Sequence, residues 1–182
     1  LQIKFAATCV VLVLSITAKI YFQSRDLKRI IRILFIAGAS CLALAAYNYY
    51  AFGKISGPYQ SGALEVTKTS LMVLLGLHFD QNQGFILQNP VNLIGILAIG
   101  WMYKLNRTFS LIWALVFLSL IVPNALHPNW YGGGSFSGRF QWAAAIAFII
   151  PTICGLLVIA KSKEKIFKAI IVCGALLQLY FF

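Results

Sequence analysis

The chain has 182 residues, of which 60% are hydrophobic and only 10% are charged, whereas about 25% of the residues in an ordinary soluble domain are charged. This composition excludes a water-soluble globular domain and indicates a protein that lies mostly in a lipid bilayer. The formal net charge of +11 would suit nucleic acid, but ten of the fifteen basic residues fall in three short connections between apolar segments. Such a distribution is typical of membrane topology, so we expect membrane lipid and not nucleic acid as the partner of these charges.

Six apolar segments approach the roughly 20 residues that a membrane-spanning helix needs. In chain order they are residues 3–22, 33–52, 86–103, 109–126, 143–160 and 166–182. None shows the alternation of a barrel strand, so the predicted fold class is all-α, a polytopic transmembrane helical bundle of about six spans. We expect one membrane domain over residues 1–182. Because residue 1 already lies beside a span, we expect this domain to be a piece of a longer chain.

The basic residues predict the orientation of the bundle. They occupy three alternate connections: Arg25, Lys28, Arg29 and Arg32; Lys104 and Arg107; and Lys161, Lys163, Lys165 and Lys168. Short connections rich in Lys and Arg stay on the cytoplasmic side. We therefore expect residues 53–85 and 127–142 to form outward-facing loops, in an integral protein of the bacterial inner (plasma) membrane.

The first outward connection contains an apolar segment of its own. Residues 70–79 are apolar but too few to cross a bilayer, and polar residues follow them at once: Asp80, Gln81, Asn82 and Gln83. A short apolar helix that leads into polar groups is typical of an interfacial or re-entrant segment. The alternative is an amphipathic helix over residues 64–79 that lies on the membrane surface.

Polar residues also interrupt the start of the third span. Gln88, Asn89, Pro90 and Asn92 lie within its outer end. Amide side chains are costly in lipid unless they have hydrogen-bond partners. This helix end is therefore expected to face protein or a wet cavity, at the same outer face as His78 and Asp80.

The second outward loop, HPNWYGGGSFSGRF over residues 127–140, is the most polar interruption of the chain. Arg139 presents five N–H donors in a planar fork, which suits a phosphate or diphosphate headgroup. The glycines, among them Gly133 and Gly138, permit a close approach of backbone N–H groups to an anion. Trp130 could stack on a sugar ring. The alternative is that Arg139 reaches lipid phosphates and that the glycines only turn the chain.

Asp80 and the two histidines each allow more than one role. A lone carboxylate such as Asp80 can act as a general base or a ligand, but it can equally cap a helix or pair with a cation. His78 and His127 have no third residue at a metal-binding spacing, so the sequence predicts no metal site. No cofactor is indicated, although a divalent cation stays possible.

Two segments resemble one known family. GLHFDQNQGFILQNPVNL at residues 76–93 and WYGGGSFSGRF at residues 130–140 are similar, in order and separation, to segments of GT-C-type glycosyltransferases, multi-spanning enzymes that take a sugar from a polyprenyl-phosphate carrier at the outer face. The resemblance covers less than half of the chain. It departs from the family at Gly138, where a proline often stands before the arginine, and in the absence of the acidic residue of the first outward loop.

The resemblance implies a substrate site and a function. The implied substrate-binding residues are Arg139, Asp80, Gln83, His127, Trp130, Gly133, Ser135 and Gly138. The catalytic base would lie upstream of residue 1, with Asp80 as a weaker candidate. The expected function is binding of a polyprenyl-phosphate sugar donor for glycosyl transfer. The alternative is a non-catalytic membrane subunit that scaffolds a larger complex or binds lipid beside other membrane subunits.

Overall fold

The computed structural model describes residues 3–55, 57, 66–80, 84–126 and 142–181. Over these residues the chain is all-α. The helices are α1 (Ile3–Gln23), α2 (Leu27–Phe52), α3 (Ser70–Phe79), α4 (Phe85–Gln88), α5 (Asn92–Leu105), α6 (Arg107–Ala125), α7 (Trp142–Ser162) and α8 (Glu164–Phe181). The chain divides into two compact units, Leu1–Leu64 and Glu65–Phe182.

The first unit is a pair of helices joined by a short turn. Asp26 caps α2 by accepting a 3.1 Å hydrogen bond from the Arg29 backbone N–H, and its other carboxylate oxygen lies 3.0 Å from the Arg29 guanidinium. This cap starts α2 six residues before the predicted residue 33, so Lys28, Arg29 and Arg32 lie on the first turns of the helix. Gly53, at φ +66°, ends α2 and donates to the Tyr49 carbonyl oxygen.

The two helices of the first unit contact each other but leave most of their large apolar side chains exposed. No residue of α2 is buried. The hydroxyl groups of Thr17 and Ser40 donate to carbonyl oxygens of their own helices, at 2.8 Å in each case. Because these hydroxyls are satisfied locally, the surfaces of α1 and α2 suit hydrocarbon.

Four helices are long and apolar enough to cross a membrane within the described residues: Phe5–Gln23 of α1, all of α2, α6 and α7. They correspond to four of the six predicted spans and support an integral membrane protein. α8 covers the sixth predicted span from Glu164 onward, but it is not one of the four.

The third predicted span differs from the expectation. The expectation of a single helix at residues 86–103 is wrong, because α4 ends at Gln88 and α5 begins at Asn92. Pro90 explains the break, because it has no N–H for the Ile86 carbonyl and disfavours helical backbone at the residue before it. Asn89 accordingly has φ −137° and ψ 82°. The 14 residues of α5 reach only about 21 Å at roughly 1.5 Å per residue, too short to span alone.

The second unit is organised around the close packing of α5 against α7. Gly95 lies so near Thr152 and Phe148 that an added Cβ would stand 2.5 Å from the threonine hydroxyl and 2.7 Å from the phenylalanine ring. Gly155 approaches α5 equally closely, with Ile94 and Ala98 facing it. Small residues at a helix interface let two backbones approach, which is a principal source of association between helices in lipid.

Candidate functional site

Most of the predicted site residues lie outside the described residues. These are Gln83, His127, Trp130, Gly133, Ser135, Gly138 and Arg139. The structure describes the two helices that the second outward loop connects: α6 is followed by Leu126, and α7 begins at Trp142. Of the predicted substrate-binding residues, Asp80 is the one within the described ranges. The convergence of this loop with Asp80 therefore stays a prediction.

The segment of residues 70–79 is a helix with those bounds, as the sequence predicts. Its last turn is packed inside the second unit: Leu77 is fully buried, and the ring of His78 lies 6.0 Å from that of Phe117. Phe117 is the eleventh of the 19 residues of α6, so α3 descends to the middle of this helix. The geometry favours the re-entrant alternative over a helix that lies on the membrane surface.

A compact turn reverses the chain after α3. The Asp80 N–H donates to the Gly76 carbonyl oxygen at 2.8 Å, and the Gly84 N–H donates to the Asp80 carbonyl oxygen at 2.8 Å. A Cβ on Gly84 would collide with the backbone nitrogen and oxygen of Asp80. Glycine is therefore required at position 84 by close backbone approach. Asp80, half-buried, stands at the start of this reversal.

Aromatic rings from α4, α6 and α7 cluster with His78 at the C-terminal end of α3. His78 lies 5.2 Å from Phe85 of α4, and Phe85 lies 5.2 Å from Phe148 of α7. Phe117 of α6 is stacked with Trp113 at 5.6 Å. Edge-on and offset ring pairs at these separations are favourable beyond their apolar contact. This cluster holds His78 at a defined position in a mainly apolar setting.

Asn92 and Thr152 form a second polar contact at the same depth. Asn92 is 6% exposed, its amide N–H donates to the Phe85 carbonyl oxygen at 3.2 Å, and its oxygen lies 3.2 Å from the Thr152 hydroxyl. The hydroxyl also lies 3.0 Å from the Phe148 carbonyl oxygen, so its single proton has two acceptors within reach. Asn92 thus joins the start of α4, the start of α5 and the middle of α7.

The depth of these groups differs from the expectation. The sequence places His78 and Asn92 at the outer edge of the bundle, but Asn92 contacts Thr152, which is the eleventh of the 21 residues of α7. The cause is the break at Pro90, because α5 begins only after the chain has already descended. The polar groups therefore lie at mid-height of the long helices, about 15 Å from the Trp142 end of α7 at roughly 1.5 Å per residue.

Sequence reasoning missed the residues on the other helices that form hydrogen bonds in this region. Thr152 lies in an uninterrupted apolar segment, and only its partner identifies it as part of the site. Trp113 donates its indole N–H to the Ala147 carbonyl oxygen at 2.8 Å. Pro151 is a sequence signal for that bond, because a proline within a helix has no N–H to donate to the carbonyl oxygen four residues earlier.

Charge and metal-binding groups are sparse in the described part of the chain. Glu164 lies 2.6 Å from Lys168, and Asp26 pairs with Arg29. Within the described residues no three His, Cys, Asp or Glu side chains are grouped as a metal site would require. A divalent cation therefore has no ligand set in this part of the structure.

Comparison of the chain with models of protein families, with curated proteins and with solved structures finds no match. The GT-C resemblance of residues 76–93 and 130–140 is therefore an expectation from those residues alone.

Proposed function

We propose that this chain is a membrane portion of a GT-C-type glycosyltransferase that binds a polyprenyl-phosphate-linked sugar from its outer face. One observation supports the proposal most: α3 descends to Phe117 in the middle of α6, and the chain turns back there through Asp80 and Gly84. A lipid-carried substrate keeps its chain in the bilayer while its polar head needs partners. A polar reversal below the outer end of the spans suits such a molecule.

In this proposal each residue has its own chemical role. Arg139 binds the phosphate and stabilises the negative charge that grows on it as the sugar leaves. Gly133, Ser135 and Gly138 shape the loop around the phosphate. Asp80 holds a hydroxyl of the sugar or of the acceptor as a hydrogen-bond acceptor, and a carboxylate outside this chain removes the acceptor's proton.

The test is sugar transfer by the full-length protein in lipid nanodiscs, with a panel of polyprenyl-phosphate hexoses and pentoses as donors. Arg139→Ala should lower kcat about 100-fold or more, the usual loss when one donor to a developing oxyanion is removed. The matched control is Arg107→Ala, because the Arg107 guanidinium lies over the Tyr103 ring, 5.5 Å from its centroid, at the opposite end of α6. Transfer that survives Arg139→Ala, or falls equally in Arg107→Ala, contradicts the role given to Arg139.

The Asp80→Asn variant tests, in the same assay, whether the Asp80 carboxylate contributes to transfer and not to folding. The amide keeps the size of the side chain but loses the negative charge, so transfer should fall about tenfold while expression and thermal stability change little. Full transfer with asparagine at position 80 would remove the carboxylate from the mechanism.

The second candidate is a non-catalytic subunit of a membrane complex. It is favoured by α2, whose 26 residues include no buried one, an apolar surface that another membrane helix could cover as well as lipid. Absence of transfer by the full-length protein with every donor, together with co-purification of a stoichiometric membrane partner, would favour this candidate.

A further inference from the structure

The imidazole of His78 has one nitrogen that is hydrogen-bonded to Leu74 and one that has no hydrogen-bond partner among the described residues. Nδ1 lies 2.7 Å from the Leu74 carbonyl oxygen. A carbonyl oxygen can only accept, so Nδ1 carries a proton and donates it. In neutral imidazole the other nitrogen, Nε2, then has a lone pair and no proton. Among the described residues, no group donates a hydrogen bond to Nε2.

The position of this lone pair matters, because no donor within the described ranges reaches it. His78 is partly buried, and its ring is fixed beside Phe117 at mid-height of α6. At that depth an acceptor without a donor costs free energy, and a polar group kept among apolar helices is a functional hypothesis in its own right. A donor from outside the described residues would remove this cost.

The surroundings restrict the kind of donor. A neutral imidazole with Nδ1 already engaged offers nothing to a phosphate, because a phosphate needs N–H or O–H donors and Nε2 has none. A hydroxyl group is complementary to it. Beside His78, the ring of Phe79 lies 6.1 Å away, tilted by 33°, and Phe79 is 49% exposed. A lone-pair acceptor next to an open aromatic face matches a sugar ring, which has hydroxyl groups on its edge and C–H groups on its face.

We propose that His78 is a carbohydrate-binding residue that accepts a hydrogen bond at Nε2 from a sugar hydroxyl, with Phe79 packing against the ring of the sugar. The inference rests on the proposed function for its choice of a sugar as ligand. It places the sugar at the C-terminal end of α3, apart from the phosphate assigned to Arg139. The histidine acts as a binding residue, and no proton leaves the sugar.

The full-length protein with ¹⁵N-labelled imidazoles is studied by NMR in lipid nanodiscs, with no transfer reaction involved. The resonances of His78 are assigned as those that disappear in the His78→Asn variant, so every other histidine stays in place. We expect one protonated nitrogen and one unprotonated nitrogen in the unliganded protein. Two protonated nitrogens, or a proton on Nε2 alone, would overturn the assignment of the acceptor.

Three probes with one alkyl chain then distinguish the ligand classes: octyl glucoside, octyl phosphate and octan-1-ol. Octyl glucoside should shift the Nε2 resonance saturably below its micellar concentration, whereas octyl phosphate and octan-1-ol should leave it in place. A shift with octyl phosphate, an equal shift with octan-1-ol, or no shift with octyl glucoside would each overturn the proposal.

A substitution gives a second, independent measurement. His78→Asn keeps a side-chain donor near the Leu74 carbonyl but removes the acceptor at the Nε2 position. Octyl glucoside should then bind about tenfold more weakly than to the parent protein, as expected for the loss of one hydrogen bond. Ser40→Ala is the control, because the Ser40 hydroxyl donates to the Ile36 carbonyl oxygen of its own helix, and it should bind as the parent does. Equal affinity in both variants contradicts the proposal. Failure of Arg139→Ala to reduce transfer would contradict the proposed function without altering these results.

Discussion

The indole N–H of Trp113 in α6 donates a 2.8 Å hydrogen bond to the carbonyl oxygen of Ala147 in α7. Within α7 that carbonyl would accept from the backbone N–H four residues later, but the residue there is Pro151, which has none. A neighbouring helix thus supplies the donor that the proline removed. The bond lets a proline remain within a span, where an unpaired carbonyl would be costly.

Trp113→Phe should therefore lower the free energy of unfolding by about 1–2 kcal/mol, because the Ala147 carbonyl loses its donor in an apolar setting. Reversible unfolding in mixed detergent micelles measures the loss. Trp101→Phe is the control, since Trp101 is 47% exposed, and it should change stability little. Adding Pro151→Ala returns a backbone N–H to Ala147, so Trp113→Phe should cost less in that background. An equal cost in both backgrounds would contradict the link between Trp113 and Pro151.

Gly95→Ala should destabilise the second unit by about 1–3 kcal/mol, the usual cost of overpacking, because its Cβ has no room beside α7. The added carbon would stand 2.5 Å from the Thr152 hydroxyl oxygen. Gly100 lies on the same helix with nothing within 4 Å of an added Cβ. Gly100→Ala should stabilise the helix by up to about 1 kcal/mol through its better helix propensity. Thermal denaturation in detergent compares the two, and equal effects would argue against close packing of α5 on α7.

The contact of Asn92 with Thr152 can be measured with a double-mutant cycle. Asn92→Ala and Thr152→Val each remove one side of the contact, and we expect a coupling free energy of about 0.6–1.7 kcal/mol, the range for hydrogen bonds between membrane helices. Thr17→Val is the control, because the Thr17 hydroxyl donates to Val13 of its own helix. Additive losses from the two substitutions would show that the two side chains act independently.

The orientation predicted from the basic connections is open to chemical labelling. In a variant with the four cysteines replaced by alanine, a single cysteine is introduced at Lys68, before α3, or at Lys163, between α7 and α8. A membrane-impermeant maleimide should label position 68 in intact cells and position 163 only after permeabilisation. The reverse pattern would show that the basic connections face outward.

Local sequence features predicted a helix correctly where the residues at its two ends mark its bounds. Ser70–Phe79 is a helix with the expected bounds, because an apolar run between polar segments defines both ends. At α2 the expectation started too late, since Asp26 caps the helix ahead of its basic residues. Hydropathy marks the part of a helix that lies in lipid, whereas a cap sets where the helix begins.

The candidate site was predictable in its residue types and less so in its geometry. His78 and Asn92 stand out in the sequence because polar side chains interrupt apolar segments. Their depth does not, because it depends on where α3 packs against α6 and where α5 starts after Pro90. Thr152 and Trp113 carry no local signal of their own, since each acquires its role from a residue on another helix.

By itself the sequence determined that the protein suits a lipid bilayer and that it is helical, and four of its six predicted spans are long apolar helices within the described residues. These features follow from composition and from runs of apolar residues. Only the tertiary structure decided that the third span is broken and that α3 descends to the middle of α6. Those features arise where Pro90 removes a backbone donor and where Gly95 and Gly155 let α5 and α7 approach. The contacts of His78 and Asn92 join residues far apart in the chain, and no local pattern encodes such a distance.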